Sequence, residues 1–201
     1  GLARVMELDK SGNQKFGFVL KNGKTIVKPR FDAAEPYCEG MALVMQKDVG
    51  GQEKYGFVDK SGKVAIPMEY DAAESFSGGL ALVMKKNVGW GFVNKSGEVV
   101  VPLRYSGAGS FSEGFAPVVK RDAYGSKKYG FVNENGELAV PLQFDHASGF
   151  SDGLAVVMKL DEENNPKYGF VNKSGELVIP ITYDSALLFS EGLALVMQLD
   201  A

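Results

Sequence analysis

One cysteine, one histidine and one tryptophan are all that this 201-residue chain contains of those three residue types. A single thiol, Cys38, permits no intrachain disulfide and offers at most one metal thiolate. Zinc sites of the usual four-ligand kind are therefore short by at least two ligands, and no metal site is expected. A Ser-His-Asp or Cys-His nucleophile system would rest on His146 alone. No Gly-rich phosphate loop is present, because Gly50-Gly51 and Gly78-Gly79 sit at turns and open no helix. No apolar run approaches the roughly 18 to 20 residues of a membrane span, so membrane insertion of this segment is not expected. The N-terminus carries no signal-peptide pattern, which points towards the cytoplasm, while an abrupt start within a repeat points to a trimmed chain. Lys and Arg total 22 against 25 Asp and Glu, and the basic residues form no block. A formal net charge of −3 spread in this way does not mark a nucleic-acid surface.

What the chain does have is a repeated stretch. Its versions read FGFVLKNG from Phe16, YGFVDKSG from Tyr55, WGFVNKSG from Trp90, YGFVNENG from Tyr129 and YGFVNKSG from Tyr168. The spacings are 39, 35, 39 and 39 residues, and such a period is the mark of a repeat architecture. A second segment returns six times: GLARVM, GMALVM, GLALVM, GFAPVV, GLAVVM and GLALVM, from Gly1, Gly40, Gly79, Gly114, Gly153 and Gly192. Ala and Val alternate there with a variable place, which predicts a strand with one tightly packed face. The variable place holds Arg4 and Pro117 in two copies and so can face solvent or an edge.

The polar stretch after this strand varies in length while the strands around it do not, and so reads as a surface hairpin tip. The two rings of aromatic-Gly-Phe-Val lie two residues apart and share a face, and the intervening Gly lets another backbone approach. Asn94-Lys95-Ser96-Gly97 and its equivalents predict a type I turn ending in a left-handed Gly. A third strand follows, as in Glu176-Leu177-Val178-Ile179-Pro180, where the proline is expected to end regular pairing. Asp32, Asp71, Asp145 and Asp184, with Ser106 in the same place, read as turn caps bonding a backbone N–H two residues on. The segment after them holds either a short fourth strand or a turn of helix. Of the 22 aromatics, 20 fall in four registers, as a stacked core demands.

The pattern W/Y-G-F-V-[ND]-K-S-G, then apolar-Pro, Y-D-x-A and F-S-x-G-L-A-x-V, resembles the bacterial WG-repeat family over essentially the whole chain. Only Trp90-Gly91 carries the literal pair. The resemblance implies a β-rich array, often attached to exported or multidomain proteins, and it implies no catalytic residues. An exported or cell-surface location is accordingly expected over a cytoplasmic one. We expect an all-β tandem array of five ~39-residue three-stranded β-meanders in an open superhelix or solenoid, with a closed five-bladed β-propeller as the alternative. The repeats run about 1–39, 40–78, 79–113, 114–152 and 153–191, with a partial sixth at 192–201, in a single array.

Four features could carry chemistry. His146 shares its register with Ala33, Ala72, Gly107 and Ser185, so exposure is expected of it over catalysis. Cys38 stands where other repeats have Ser77, Ser112, Ser151 and Ser190, and Asp161-Glu162-Glu163-Asn164-Asn165 lacks the spacing of a calcium loop. The sharpest candidate is the row Phe16, Tyr55, Trp90, Tyr129 and Tyr168. Rings partly open to solvent stack on sugars, quaternary ammonium groups or extended peptides, whereas fully buried rings would be core between repeats. The expected function is a non-enzymatic scaffold, without a cofactor, for a protein or cell-envelope partner. The alternative is a glycan or cell-wall ligand held by the aromatic row.

Overall fold

The aromatic-Gly-Phe-Val segments form the middle strand of one antiparallel sheet per repeat, in a computed structural model that describes residues 1–199. The first sheet comprises β1 (Leu2–Leu8), β2 (Gln14–Leu20) and β3 (Thr25–Phe31). The second runs in the order β4 (Ala33–Ala34), β5 (Met41–Lys47), β6 (Glu53–Asp59) and β7 (Val64–Tyr70). Next come β8 (Ala72–Ala73), β9 (Leu80–Lys85) and β10 (Gly89–Asn94), likewise ordered, and then β11 (Val99–Tyr105). Two further four-stranded sheets follow: β12 (Gly107–Ala108), β13 (Phe115–Arg121), β14 (Lys127–Asn133) and β15 (Leu138–Phe144), then β16 (His146–Ser151), β17 (Leu154–Leu160), β18 (Pro166–Asn172) and β19 (Leu177–Tyr183). A pair, β20 (Ser185–Ala186) and β21 (Val196–Met197), completes the order. No helix forms among the described residues, and each sheet is open, with two edges. The chain divides into two compact units, Gly1–Val99 and Val100–Ala201.

The segment left open between strand and helix is a strand. It is two residues long in β4, β8, β12 and β20, and six in β16, and it pairs with the first long strand of the following repeat. Each sheet after the first is therefore assembled from two consecutive repeats. The turns are as expected: Gly136 has φ 83° and its N–H reaches Asn133 O at 3.0 Å. Capping falls on the first turn residue, where Asn94 Oδ1 accepts the Ser96 and Glu98 N–H groups at 3.1 and 3.0 Å.

Two expectations need correction. The third strand does not stop at its proline. In β15 it runs through Pro141 to Phe144, because Tyr129 pairs with Phe144 and Phe131 with Val140, leaving a bulge that asks no N–H of the proline. Gly130 sits at this bulge with its backbone so close that a Cβ would lie 2.4 Å from Val140 O. The register Asp is not a local cap either. Asp71 accepts the Lys54 ammonium at 2.7 Å and the Lys86 N–H, fifteen residues on, at 2.7 Å. Asp32 and Asp145 do the same with Lys15 and Lys47, and with Lys128 and Leu160. The carboxylate faces the neighbouring strand instead of its own turn, and so pins two repeats together.

Each unit has its own core, built across consecutive repeats. In the first, Phe18 and Phe31 pack with Ala42, Val44 and Val58 of the next repeat. In the second, Phe131, Val140 and Phe144 pack with Phe150, Ala155 and Val157. The recurring Ala and Val of the four inner copies, for example Ala116 and Val118, are fully buried, which explains why neither grows there. The variable place is buried at Leu43 and Leu82 and half-buried at Pro117. Turn carboxylates add a further tie: Glu39 accepts the Gly79 N–H at 2.9 Å and Lys95 at 3.1 Å, as Glu113 does with Gly153 and Lys173 in the second unit.

Candidate functional site

The two rings of each aromatic-Gly-Phe-Val strand have different fates. The second ring, at Phe18, Phe57, Phe92, Phe131 and Phe170, is at most 1% exposed. The first, at Phe16, Tyr55, Trp90, Tyr129 and Tyr168, is half-buried in every repeat. The second ring lies deep against an aromatic of its own repeat, as Phe57 does against Phe76 at 4.9 Å and Phe131 against Phe150 at 4.9 Å. The first ring is two residues nearer the hairpin end, where the core runs out. The row is thus a border between core and water, three members in the first unit and two in the second.

Its members have different neighbours. The Arg4 guanidinium lies 5.2 Å from the Phe16 ring centroid. The Tyr55 hydroxyl donates to Glu53 Oε2 at 3.0 Å, and burial first, the Glu53 carboxylate second, push its phenol pKa up. Tyr129 sits against the His146 imidazole with centroids 5.1 Å apart. On the strand beside each ring stands a methionine in four sheets: Met6 opposite Phe16, Met45 opposite Tyr55, Met84 opposite Trp90 and Met158 opposite Tyr168. Opposite Tyr129 the residue is Val119.

That difference opens a recess. In the second sheet the place between β4, β5 and Tyr55 is nearly filled, with a cavity of about 40 Å³ lined by Ala33, Glu35, Leu43 and Met45. The equivalent place between β12, β13 and Tyr129 is a cavity of about 330 Å³. Gly107 replaces Ala33, Gly109 replaces Glu35, Pro117 replaces Leu43 and Val119 replaces Met45. Ser106 replaces the register Asp, and its hydroxyl turns inward to donate to Val119 O at 3.1 Å. Lys127 forms part of the rim. The Pro117 imino nitrogen faces the β12 edge, since the Pro117 carbonyl accepts the Gly109 N–H at 2.9 Å, so the missing donor disturbs no pairing with β14.

Electrostatics differ here too. The partner of Lys47 across its hairpin is Glu53, an opposite charge. At the corresponding place Arg121 stands opposite Lys127, and Lys120 opposite Lys128. Lys128 is neutralised by Asp145 at 2.5 Å. Partial burial pushes the Asp145 carboxyl up, but Lys128 and the Leu160 N–H outweigh it and hold the pKa below the usual carboxylate range. Arg121 donates to Gly125 O at 2.6 Å, and Lys127 has no acidic partner among the described residues.

The remaining candidates are plain. His146 is exposed. Cys38 is exposed, and its thiol donates to Phe76 O at 3.1 Å, as the Ser112 and Ser151 hydroxyls do to Phe150 O and Phe189 O at 2.7 Å. Asp161 caps its own hairpin turn, accepting the Glu163 and Asn165 N–H groups at 2.9 Å. Among the described residues no three His, Cys, Asp or Glu side chains are grouped to hold a metal ion. The recess is what reasoning from the repeat passed over. Its signal was present in GFAPVV, the one copy without a final Met, and in Ser106-Gly107-Ala108-Gly109; both are departures from the pattern.

No curated protein matches the sequence. Among solved structures, the chain is similar to the computationally designed Ika8 protein at 13% identity and TM-score 0.46, covering 97% of this chain and 66% of that one. It is similar to the WD40 domain of Toxoplasma gondii coronin at 12% identity and TM-score 0.43, covering 89% and 54%. A Burkholderia pseudomallei lectin matches at 13% identity and TM-score 0.36, covering 87% and 64%. The chain thus spans less than two thirds of each of these three chains. The WG containing repeat profile matches five times, at residues 16–49, 55–88, 90–124, 129–161 and 168–200, in phase with the sheets described above. The chain belongs to the WG containing repeat family.

Proposed function

We propose that this tandem β-repeat scaffold is a non-enzymatic binding module that contacts a protein or cell-envelope partner through its half-buried aromatic positions. One observation carries the reading: the same register leaves a ring at the border of the core in all five repeats while the ring two residues on is sealed. A ring half in water is a ready contact for a partner, since its desolvation on binding is favourable and its orientation is already set. An exported or cell-surface setting suits such a module. Trp90, the one tryptophan, is a native probe in this register. Its emission should be intermediate in wavelength and partly quenched by iodide. A cognate partner, drawn from a panel of wall fragments, glycans and envelope proteins, should shift the emission or protect it. Fully blue-shifted emission, untouched by iodide and by every member of the panel, would sink the reading.

The glycan alternative has an observation of its own in the recess beside Tyr129, where a ring-sized space adjoins an aromatic side chain.

A further inference from the structure

The fourth sheet departs from its siblings at one place in several independent ways. Side chains have been shortened around Tyr129 at Gly107, Gly109 and Val119, which turns a filled position into a cavity of about 330 Å³. The rim has become basic at Lys127, which stands where Glu53 does in the second sheet and lies directly opposite Arg121. Both project from the same face of β13 and β14 as Val119 and Tyr129, because side chains alternate along a strand. Like charges directly opposite destabilise a sheet, and nothing acidic answers Lys127 among the described residues. Two acids on or beside these strands are engaged elsewhere: Asp145 with Lys128, and Asp122 with the Tyr124 and Ser126 N–H groups of its own turn. The Tyr129 hydroxyl also loses the acceptor that Tyr55 has in Glu53, because the equivalent residue is Lys127.

Resting on the binding reading above, we propose that this recess binds a carboxylated sugar, a hexuronate unit lying against Tyr129 and Pro117 with its carboxylate on Lys127 beside Arg121. The chemistry matches part by part. The apolar C–H face of a pyranose stacks on an aromatic ring and on a pyrrolidine. Sugar hydroxyls find an acceptor and donor in the Tyr129 phenol. The carboxylate answers the unpaired ammonium and relieves the repulsion across the hairpin. The recess is shallow and open, so a unit within a longer chain can enter laterally. A glutamate or aspartate side chain would satisfy the cation but bring no ring face for Tyr129, which is why a sugar is favoured over an acidic peptide.

The test is calorimetric titration of the whole chain with short oligogalacturonate and oligoglucuronate, with neutral cello-oligosaccharide of the same length, and with polyglutamate. One of the uronates should bind about tenfold or more tighter than the neutral sugar, and tighter than polyglutamate. Val119→Met refills the recess with the residue present at Met6, Met45, Met84, Met158 and Met197, so the fold tolerates it. It should weaken uronate binding about tenfold or more, and Lys127→Glu, a surface change, should do the same. Met45→Val, its mirror in the first unit, should change nothing. Failure of both uronates to bind, equal binding of the neutral sugar, equal binding of polyglutamate, or unchanged affinity in both Val119→Met and Lys127→Glu overturns the proposal. If Trp90 still reports another partner when the uronates fail, only this inference falls; if Trp90 is silent as well, the scaffold reading falls with it.

Discussion

Replacing Asp71 by alanine tests the idea that one carboxylate per repeat pins consecutive repeats together. Asp71 is only 10% exposed and holds two donors at once, the Lys54 ammonium and the Lys86 N–H. Alanine strands both. The lysine head is open enough to recover water, so most of the loss comes from the bond between carboxylate and backbone. We expect a loss of about 1 to 2 kcal/mol, a charge-assisted bond discounted for its place near the surface. For a chain of this length that lowers Tm by roughly 2 to 8 °C. The pH dependence is more diagnostic than the size. The Lys54 ammonium first, and the Lys86 N–H second, hold the folded carboxyl below its ordinary value of 3.8. A carboxyl depressed in the folded state stabilises fully above its unfolded pKa, and the contribution is lost as pH falls through the folded value. The Tm gap between wild type and D71A, followed by circular dichroism, should therefore be constant from neutrality to about pH 5 and close towards pH 2. Ser106, which holds the same register with a single hydroxyl bond, serves as the control, and Ser106→Ala should show no such pH-dependent gap. A D71A gap of equal size at acid and neutral pH would refute the clamp.

Two further outcomes follow from packing. Gly130→Ala places a Cβ about an ångström too close to Val140 O, so the bulge must open; a loss of roughly 2 kcal/mol or more is expected in thermal melts, and a neutral result would mean the bulge is soft. Cys38→Ser keeps a donor on Phe76 O and should change stability by less than about 0.5 kcal/mol, whereas Cys38→Ala should cost more; equal melts for the two would show that the bond contributes nothing.

Much of the architecture can be read before any coordinate, because each repeat solves the same local problem. Period-two alternation set the strands, the left-handed Gly136 and its equivalents set the turns, and the invariance of Ala and Val announced a packed face. Other features turn on contacts far apart in sequence. Asp71 resembles a turn cap because its own neighbours are what a sequence displays, yet its carboxylate is used by Lys86, fifteen residues away. Pro141 looks like a strand end until the bulge at Gly130 shows that its nitrogen is not needed. The candidate site shows the same division. Equal spacing identified Phe16, Tyr55, Trp90, Tyr129 and Tyr168 as a row, but only packing decided that each ring is half-buried at the edge of a core filled by its neighbour two residues on. The chain alone determined which residues recur. The tertiary structure decided where recurrence fails to fill space, at Tyr129, because a cavity is the sum of side chains missing from several strands at once and no single position records it.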